Sequence, residues 1–443
     1  MSSSAAAKIT APPKNFKEKV KWLGPGFLWM VSAAGSGELL FTPRVGALYG
    51  YTLVWALVTA VMLKWFINRE IGRFTVCTGE TVIDGFARLP GPRNWALYVI
   101  LVPQLFVAVT SIAGLAGSAA TALILALPGD IRIWTIASIL LSTALVLIGK
   151  FKAVEKVATL LAVVLGLAAI VAAAFVIKDF KGLAEGFAFK LPENARFDEI
   201  LPWLGFMLSG AAGMIWYSFW IRAKKYGLQN EDGKHKVRLS NDDKDKLKLW
   251  LKQMTADNTV AVVGTLIITF SFLVLGTELL KPKGLIPEEN KVAEVLGQLL
   301  GQLWGPVGFW FMITAIFIGF WDTVLSDQDG FGRMFSGGAR VLLKNVRWGK
   351  NIPVKNLNKF FVIVLVTIIP IGLYLIMGEP VGLLKIAGAI EACHIPFLVA
   401  LILYLNHKEL PPELKAGRFT TIMTVVAGLF FVAFAVVYLL QIA

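Results

Sequence analysis

Glu38, Asp322, Glu391 and His394 stand inside stretches of the chain that are otherwise apolar. Ionisable groups in such surroundings are costly, and each is a candidate for handling an ion or a proton. Glu38 directly follows Gly35-Ser36-Gly37. A carboxylate there, at the amino end of a second half-helix, either caps that helix or offers its charge to a ligand. Glu391 and His394 are three residues apart, hence on one helical face, and Pro396 loosens the ladder behind them. They read as a proton-carrying or cation-coordinating pair, or as a buried hydrogen bond between helices. Asp322, between Trp321 and Thr323, is a third carboxylate. Arg44 is either a counter-ion for Glu38 or a side chain reaching the membrane rim. Asp327 and Asp329 beside Arg333 read as an ion-pair network, and Asp257 with Asn258 and Thr259 as support behind the site.

Two apolar segments must position these groups. Laying residues 24–35 over 201–212 at a constant offset of 177 aligns Pro25 with Pro202, Met30 with Met207, Ser32 with Ser209 and Ala34 with Ala211. Both segments then run into glycine, Gly35-Ser36-Gly37 in one and Gly210-Ala211-Ala212-Gly213 in the other. An interruption there frees backbone groups at membrane depth, which hydrocarbon tolerates only where they line a cavity or bind something. Paired interruptions in two halves of a chain point to the substrate site of a secondary transporter.

Hydrophobic residues make up 56% of the chain and charged ones 16%, with a mean hydropathy of +0.69, which excludes an ordinary soluble domain. The apolar runs predict eleven spanning helices of roughly 20 residues each, near 22–49, 51–67, 94–127, 132–149, 153–177, 200–222, 251–277, 305–333, 358–377, 381–405 and 418–441. The net charge of +14 collects in alternate loops: Arg69, Arg73, Arg88 and Arg93; Lys150, Lys152 and Lys156; the lysines and Arg238 between 224 and 248; Arg340, Lys344, Arg347, Lys350 and Lys355. This argues for topology and against a nucleic-acid partner. It places the amino terminus in the cytoplasm and, with an odd helix count, the carboxyl terminus outside. The first 20 residues have no apolar core or cleavage site and read as a cytoplasmic tail. The segment 244–250 reads as an amphipathic surface helix joining the two halves. Cys77 and Cys393 read as free thiols. There is no phosphate-binding loop and no zinc spacing among the three histidines, so no enzyme and no cofactor is expected.

From Gly24 to Tyr51, GPGFLWMVSAAGSGELLFTPRVGALYGY resembles the first helix of the Nramp family of divalent-metal transporters. Gly35-Ser36-Gly37-Glu38 falls on that family's Asp-Pro-Gly-Asn, Met214-Ile215-Trp216 on its Met-Pro-His, and Ile395-Pro396-Phe397 on its Leu-Pro-Phe. The resemblance implies an all-α polytopic membrane protein of LeuT-like fold, with two inverted five-helix repeats, an eleventh helix, and substrate at the breaks in helices one and six. The departures are large. The metal-binding Asp is Gly35 and the Asn is Glu38; Met214 alone survives of the sixth-helix pair, a soft thioether ligand. Two acidic positions of the third helix fall on Ser111 and Gly114, and histidine positions of the sixth on Trp216 and Ile221.

The resulting expectation is a plasma-membrane cation transporter, monomeric and embedded in lipid, working by alternating access with weak or absent proton coupling. Its substrate site comprises Gly35, Ser36, Gly37, Glu38, Gly213, Met214, Trp216, Tyr217, Asp322, Glu391 and His394. Glu38, Met214, Asp322 and Glu391 would hold the metal, and three carboxylates favour Mg²⁺ or Mn²⁺. Trp216 keeps an organic cation or amino-acid-like solute open as cargo, and a Nramp-like membrane protein that no longer transports is a third reading. The expected divisions are a tail (1–21), a first repeat (22–178), an outer loop (179–199), a second repeat (200–406) with a linker at 223–250, and the last helix (407–443).

Overall fold

A computed structural model describes residues 8–149, 152–230, 239–343 and 352–442. Lys150, Lys234, Lys236, Arg238, Lys344, Arg347 and Lys350, assigned above to basic loops, lie outside the described residues. Among those described, nine helical stretches are long and apolar enough to cross a bilayer. Two more of the expected eleven are helical without meeting that test. The first span, 25–49, is three abutting helical pieces, and the second, Val54–Thr78, carries Lys64, Arg69, Glu70 and Arg73. At 1.5 Å per residue, 25 residues cover about 37 Å, enough for a crossing. The remaining spans are 95–126, 131–148, 152–176, 197–223, 241–283, 289–343, 354–377, 380–409 and 418–442.

Several boundaries have a local chemical cause. Ser240 and Asp243 form a capping box, each side chain meeting the other's backbone N–H at 3.1 and 2.9 Å. No breaker comes after it, so Asn241–Leu275 is one helix. The expected surface helix at 244–250 is therefore the opening of the seventh span. Leu247 and Trp250 on its face are fully buried. Trp250 packs edge-on against Trp22 at 4.8 Å and donates to the Thr10 carbonyl at 2.7 Å. The amino-terminal segment is likewise no loose tail: Lys8–Ile9 pairs antiparallel with Leu228–Gln229, and Phe16–Trp22 is a short helix. Trp304 and Gly305 (φ +62°) divide the long eighth element into an outlying helix and the span proper, with Pro306 opening the latter.

The interior packs large apolar side chains such as Trp29, Trp203 and Phe320, with glycines where backbones approach closely. The third span packs against the eighth and tenth, the first half of the sixth against the tenth, and the seventh against the second and fifth. Leucine- and valine-rich faces of the fourth, fifth and last spans point outward, as lipid-facing surfaces require.

Candidate cation site

The sixth span is broken. Its helical pieces are Phe197–Phe206 and Ala211–Ala223, and between them Leu208 (φ +52°) and Ser209 (φ +67°) are held in the left-handed region. Two consecutive non-glycine residues there carry strain of order 1–3 kcal/mol each, which persists only if the surroundings enforce it. The enforcement comes from three other spans. Lys64, on the second span and wholly buried, donates its ammonium hydrogens to the carbonyls of Gly205 (2.8 Å), Met207 (2.5 Å) and Ser209 (2.8 Å). Glu38 Oε1 accepts the Leu208 N–H at 2.9 Å. Glu391 accepts the Ala212 N–H at 3.3 Å, at the positive end of the second half-helix.

The first span, by contrast, is not interrupted at Gly35-Ser36-Gly37. It widens into a π-helix over Ala34–Phe41 between Pro25–Ala33 and Thr42–Tyr49. Pro43 has no N–H to close an α-turn onto the preceding helix. The carbonyl of Gly37 is taken five residues on by the Thr42 hydroxyl at 2.8 Å, and Thr42 in turn accepts from Trp203 Nε1 at 3.0 Å. The glycines serve approach instead. A Cβ at Gly35 would meet the Thr323 hydroxyl at 2.4 Å, and one at Gly37 the Phe206 carbonyl at 2.8 Å. Gly213 likewise lies within the second half-helix, three residues past the break, where a Cβ would strike Ser209.

Glu38 and Asp322 line one cavity of about 70 Å³ between the first, fifth, seventh and eighth spans. Met30, Thr265 and Gly319 border it, and the rest of its wall is mostly apolar. Within the cavity-lining set, Glu38 Oε2 and the Thr265 hydroxyl are buried and have no hydrogen-bond partner among the described residues. Unpartnered buried oxygens on a shared cavity are uncommon and call for an explanation such as a bound ion or water. The donor set is one carboxylate oxygen held ready, a second carboxylate, a hydroxyl and a thioether. The expected chamber between spans one, six, eight and ten is therefore displaced toward spans five and seven, because Lys64 fills the carbonyl side of the break.

The other expected residues are dispersed. Glu391 sits across the break and meets Gln104 Nε2 at 3.1 Å; the same amide contacts His394 Nδ1 at 2.9 Å. Glu391 and His394 thus communicate through a glutamine of the third span that sequence reading passed over. Met214 is fully buried and does not border the cavity, where Met30 stands instead. Trp216 is packed edge-on to Phe331 at 4.9 Å and Tyr217 lies against Trp29 at 6.0 Å; both are buried and neither borders the cavity. Ser36 is buried in the π-helical stretch. Among the described residues no three His, Cys, Asp or Glu side chains converge, so the four-residue metal set is split into Glu38 with Asp322 on one side and Glu391 on the other.

Both ends of the first span are pinned. At one end Arg44 holds Glu199 in a bidentate pair (2.7 and 2.8 Å), Lys385 reaches the same carboxylate at 2.5 Å, and Arg44 also meets the Pro287 carbonyl. Arg44 is thus neither the partner of Glu38 nor a snorkelling side chain. At the other end Asp257 accepts from the N–H groups of Gly24 (2.8 Å) and Gly26 (2.6 Å), a helix cap rather than support for the site. Lys224 closes over the Leu23 carbonyl at 2.6 Å.

The family model described as Natural resistance-associated macrophage protein-like, Nramp, matches residues 26–441. The chain belongs to the Nramp family. Among its relatives, a Pasteurella multocida protein named only as uncharacterised is 24% identical over 74% of this chain and 73% of its own length. A Caldanaerobacter subterraneus protein named divalent metal cation transporter MntH is 21% identical over 94% and 91%. A mutant of the Eremococcus coleocola manganese transporter superposes with a TM-score of 0.71 at 15% identity, covering 99% of this chain and 90% of that one. Mhp1, a nucleobase-cation-symport-1 family transporter, gives 0.54 at 13% identity, covering 100% and 94%. The fold is accordingly the all-α, multi-pass, LeuT-like membrane architecture expected above.

Ser111, on a position the family resemblance assigns to an acid, donates to Asp327 Oδ2 of the eighth span at 2.7 Å. Asp327 is buried there and is separate from the exposed Asp329–Arg333 pair at 2.7 Å with which it was grouped from sequence.

Proposed function

We propose that this Nramp member moves a divalent cation, Mg²⁺ or Mn²⁺, across the plasma membrane by alternating access, as a monomer and without obligatory proton coupling. The reading is carried by one observation: Glu38 Oε2 and the Thr265 hydroxyl, both buried and unpartnered among the described residues, share a cavity with Asp322. Two carboxylates and a neutral oxygen fall short of a full octahedron, which suits an ion that crosses with several of its waters retained. Met30 at the rim would favour Mn²⁺ over Ca²⁺. The names of relatives that transport divalent metals and manganese support the same class of cargo. Trp216, buried against Phe331 and away from the cavity wall, argues against an organic cation as cargo.

In this mechanism the Arg44–Glu199–Lys385 tie and the Asp257 cap open in turn, while residues 22–178 and 200–406 act as the two repeats. The positive-inside distribution of loop charge supports an orientation with the Asp257 end and the amino terminus in the cytoplasm and the carboxyl terminus outside. The decisive experiment is uptake into liposomes of Mn²⁺, Mg²⁺, Ca²⁺ and guanidinium, each with and without a pH gradient. Saturable flux of Mn²⁺ or Mg²⁺, indifferent to the gradient, is the expected result. Gradient-dependent flux abolished by Asp327→Asn refutes the uncoupled mechanism, guanidinium flux refutes the cargo, and silence from monodisperse protein refutes transport.

A further inference from the structure

The break in the sixth span has the form of a cation site, and its cation is covalently attached. Three carbonyl oxygens, those of Gly205, Met207 and Ser209, converge at 2.5 to 2.8 Å on one nitrogen. Three acceptors around a lysine nitrogen require all three donors of an ammonium, since a neutral amine has two. The group is wholly buried, with the face of Phe431 centred 5.5 Å from the nitrogen. Glu38 accepts the Leu208 N–H of the unwound segment, and Glu391 the Ala212 N–H at the start of the half-helix that follows it. Carbonyl oxygens freed by an unwound helix at membrane depth are what a transported or co-transported ion would otherwise coordinate.

We propose that Lys64 is a tethered primary-ammonium ion seated in a cation site formed by the carbonyls of the sixth-span break, so that this site binds no ion from solution. The consequence for the protein is twofold. The break needs no soluble monovalent co-ion to hold its strained backbone, and a divalent substrate is confined to the Glu38–Asp322 side. This inference is independent of which cation, if any, crosses the membrane, and its test reads stability rather than flux.

The test is to replace the tether and return the ion. Purified full-length protein and its Lys64→Ala variant are melted in N-methylglucamine chloride and in ammonium, methylammonium or ethylammonium chloride at equal pH and ionic strength. The unaltered protein is expected to melt at the same temperature in all of them. Lys64→Ala is expected to melt lower in N-methylglucamine and to recover saturably in the small ammonium salts, by about 3 °C or more at a hundredfold excess over Kd. A folded Lys64→Ala that ignores these ions overturns the proposal, as does an equal response from the unaltered protein. Should Lys64→Ala fail to fold in every salt, Lys64→Met decides. It keeps the stem and loses the charge, and adding Glu38→Gln is expected to restore part of its lost melting temperature. No restoration overturns the proposal too.

Discussion

Glu38→Gln separates the two jobs that the structure gives one carboxylate. Oε1 accepts the Leu208 N–H at 2.9 Å, whereas Oε2 has no hydrogen-bond partner among the described residues, and the side chain belongs to the cavity wall. A glutamine oxygen can keep the first bond, downgraded from a charge-assisted to a neutral acceptor at a cost of about 1 kcal/mol. The second position becomes an NH₂, which repels a cation. At an effective dielectric constant of about 20, each unit of charge 4 Å from a carboxylate is worth roughly 4 kcal/mol. Rehydration of the ion and the site offsets part of that, leaving about 2–3 kcal/mol. The expected outcome is a KM for Mn²⁺ or Mg²⁺ uptake raised roughly 30- to 150-fold, using about 1.4 kcal/mol per decade. Melting temperature should fall by only a few degrees. Liposome flux and metal-induced thermal stabilisation read the two effects separately. A variant that folds and transports with KM within about threefold of the parent would refute the placement of substrate at Oε2.

Thr265→Val keeps the shape and removes a hydroxyl that has no partner among the described residues. It should leave stability unchanged or slightly higher, and weaken metal stabilisation about fivefold to tenfold in an equilibrium titration. Glu199→Gln strips the carboxylate that Arg44 and Lys385 share. By the scale for one-sided loss of a buried ion pair it costs about 3–5 kcal/mol, and it should raise labelling by a membrane-impermeant thiol reagent of a cysteine placed at Pro287. Asp257→Asn weakens the cap on Gly24 and Gly26 by about 1–2 kcal/mol. Hydrogen exchange should quicken over residues 25–33 and stay unchanged over 54–78; uniform quickening would show that the cap is not local.

Apolarity and the cost of burial made most of the architecture legible in the sequence. Long apolar runs located most spans to within a few residues; the second runs on to Thr78 and the eighth to Leu343, about ten residues past their expected ends, and the seventh starts ten residues earlier because nothing stops its helix. A carboxylate in an apolar run must meet something, and Glu38 and Asp322 do meet on one cavity. Lys64 obeys the same rule and escaped notice, standing late in a span that turns charged at Arg69 and Glu70. Its partners are backbone carbonyls more than 140 residues away, and a carbonyl leaves no mark in a sequence. Met30 did leave one: it aligns with Met207 across the offset, and of the two only Met30 borders the cavity. Gln104 carries no charge and no spacing, so only the fold could place it between Glu391 and His394.

The glycines misled for a physical reason. A glycine in a membrane helix is ambiguous, since it weakens the helix and also lets another backbone come close. In the first span closeness prevails: Gly35 lies under Thr323 and Gly37 under the Phe206 carbonyl, so that segment is pressed between two neighbours and its backbone stays wound. The irregularity falls instead where proline removes a donor. Pro43 comes directly after the π-helix at Ala34–Phe41, and Pro370 after another at Val364–Ile368. In both, a threonine hydroxyl reaches back five residues to a carbonyl of the widened stretch or the turn before it, Thr42 to Gly37 at 2.8 Å and Thr367 to Val362 at 2.7 Å. The recurrence makes proline with a nearby threonine the better signal of a widened helix. A widened turn carries one extra residue and rotates the side chains beyond it about the helix axis. In the first span the widened stretch includes Glu38, which bonds the break through one oxygen and is part of the cavity wall.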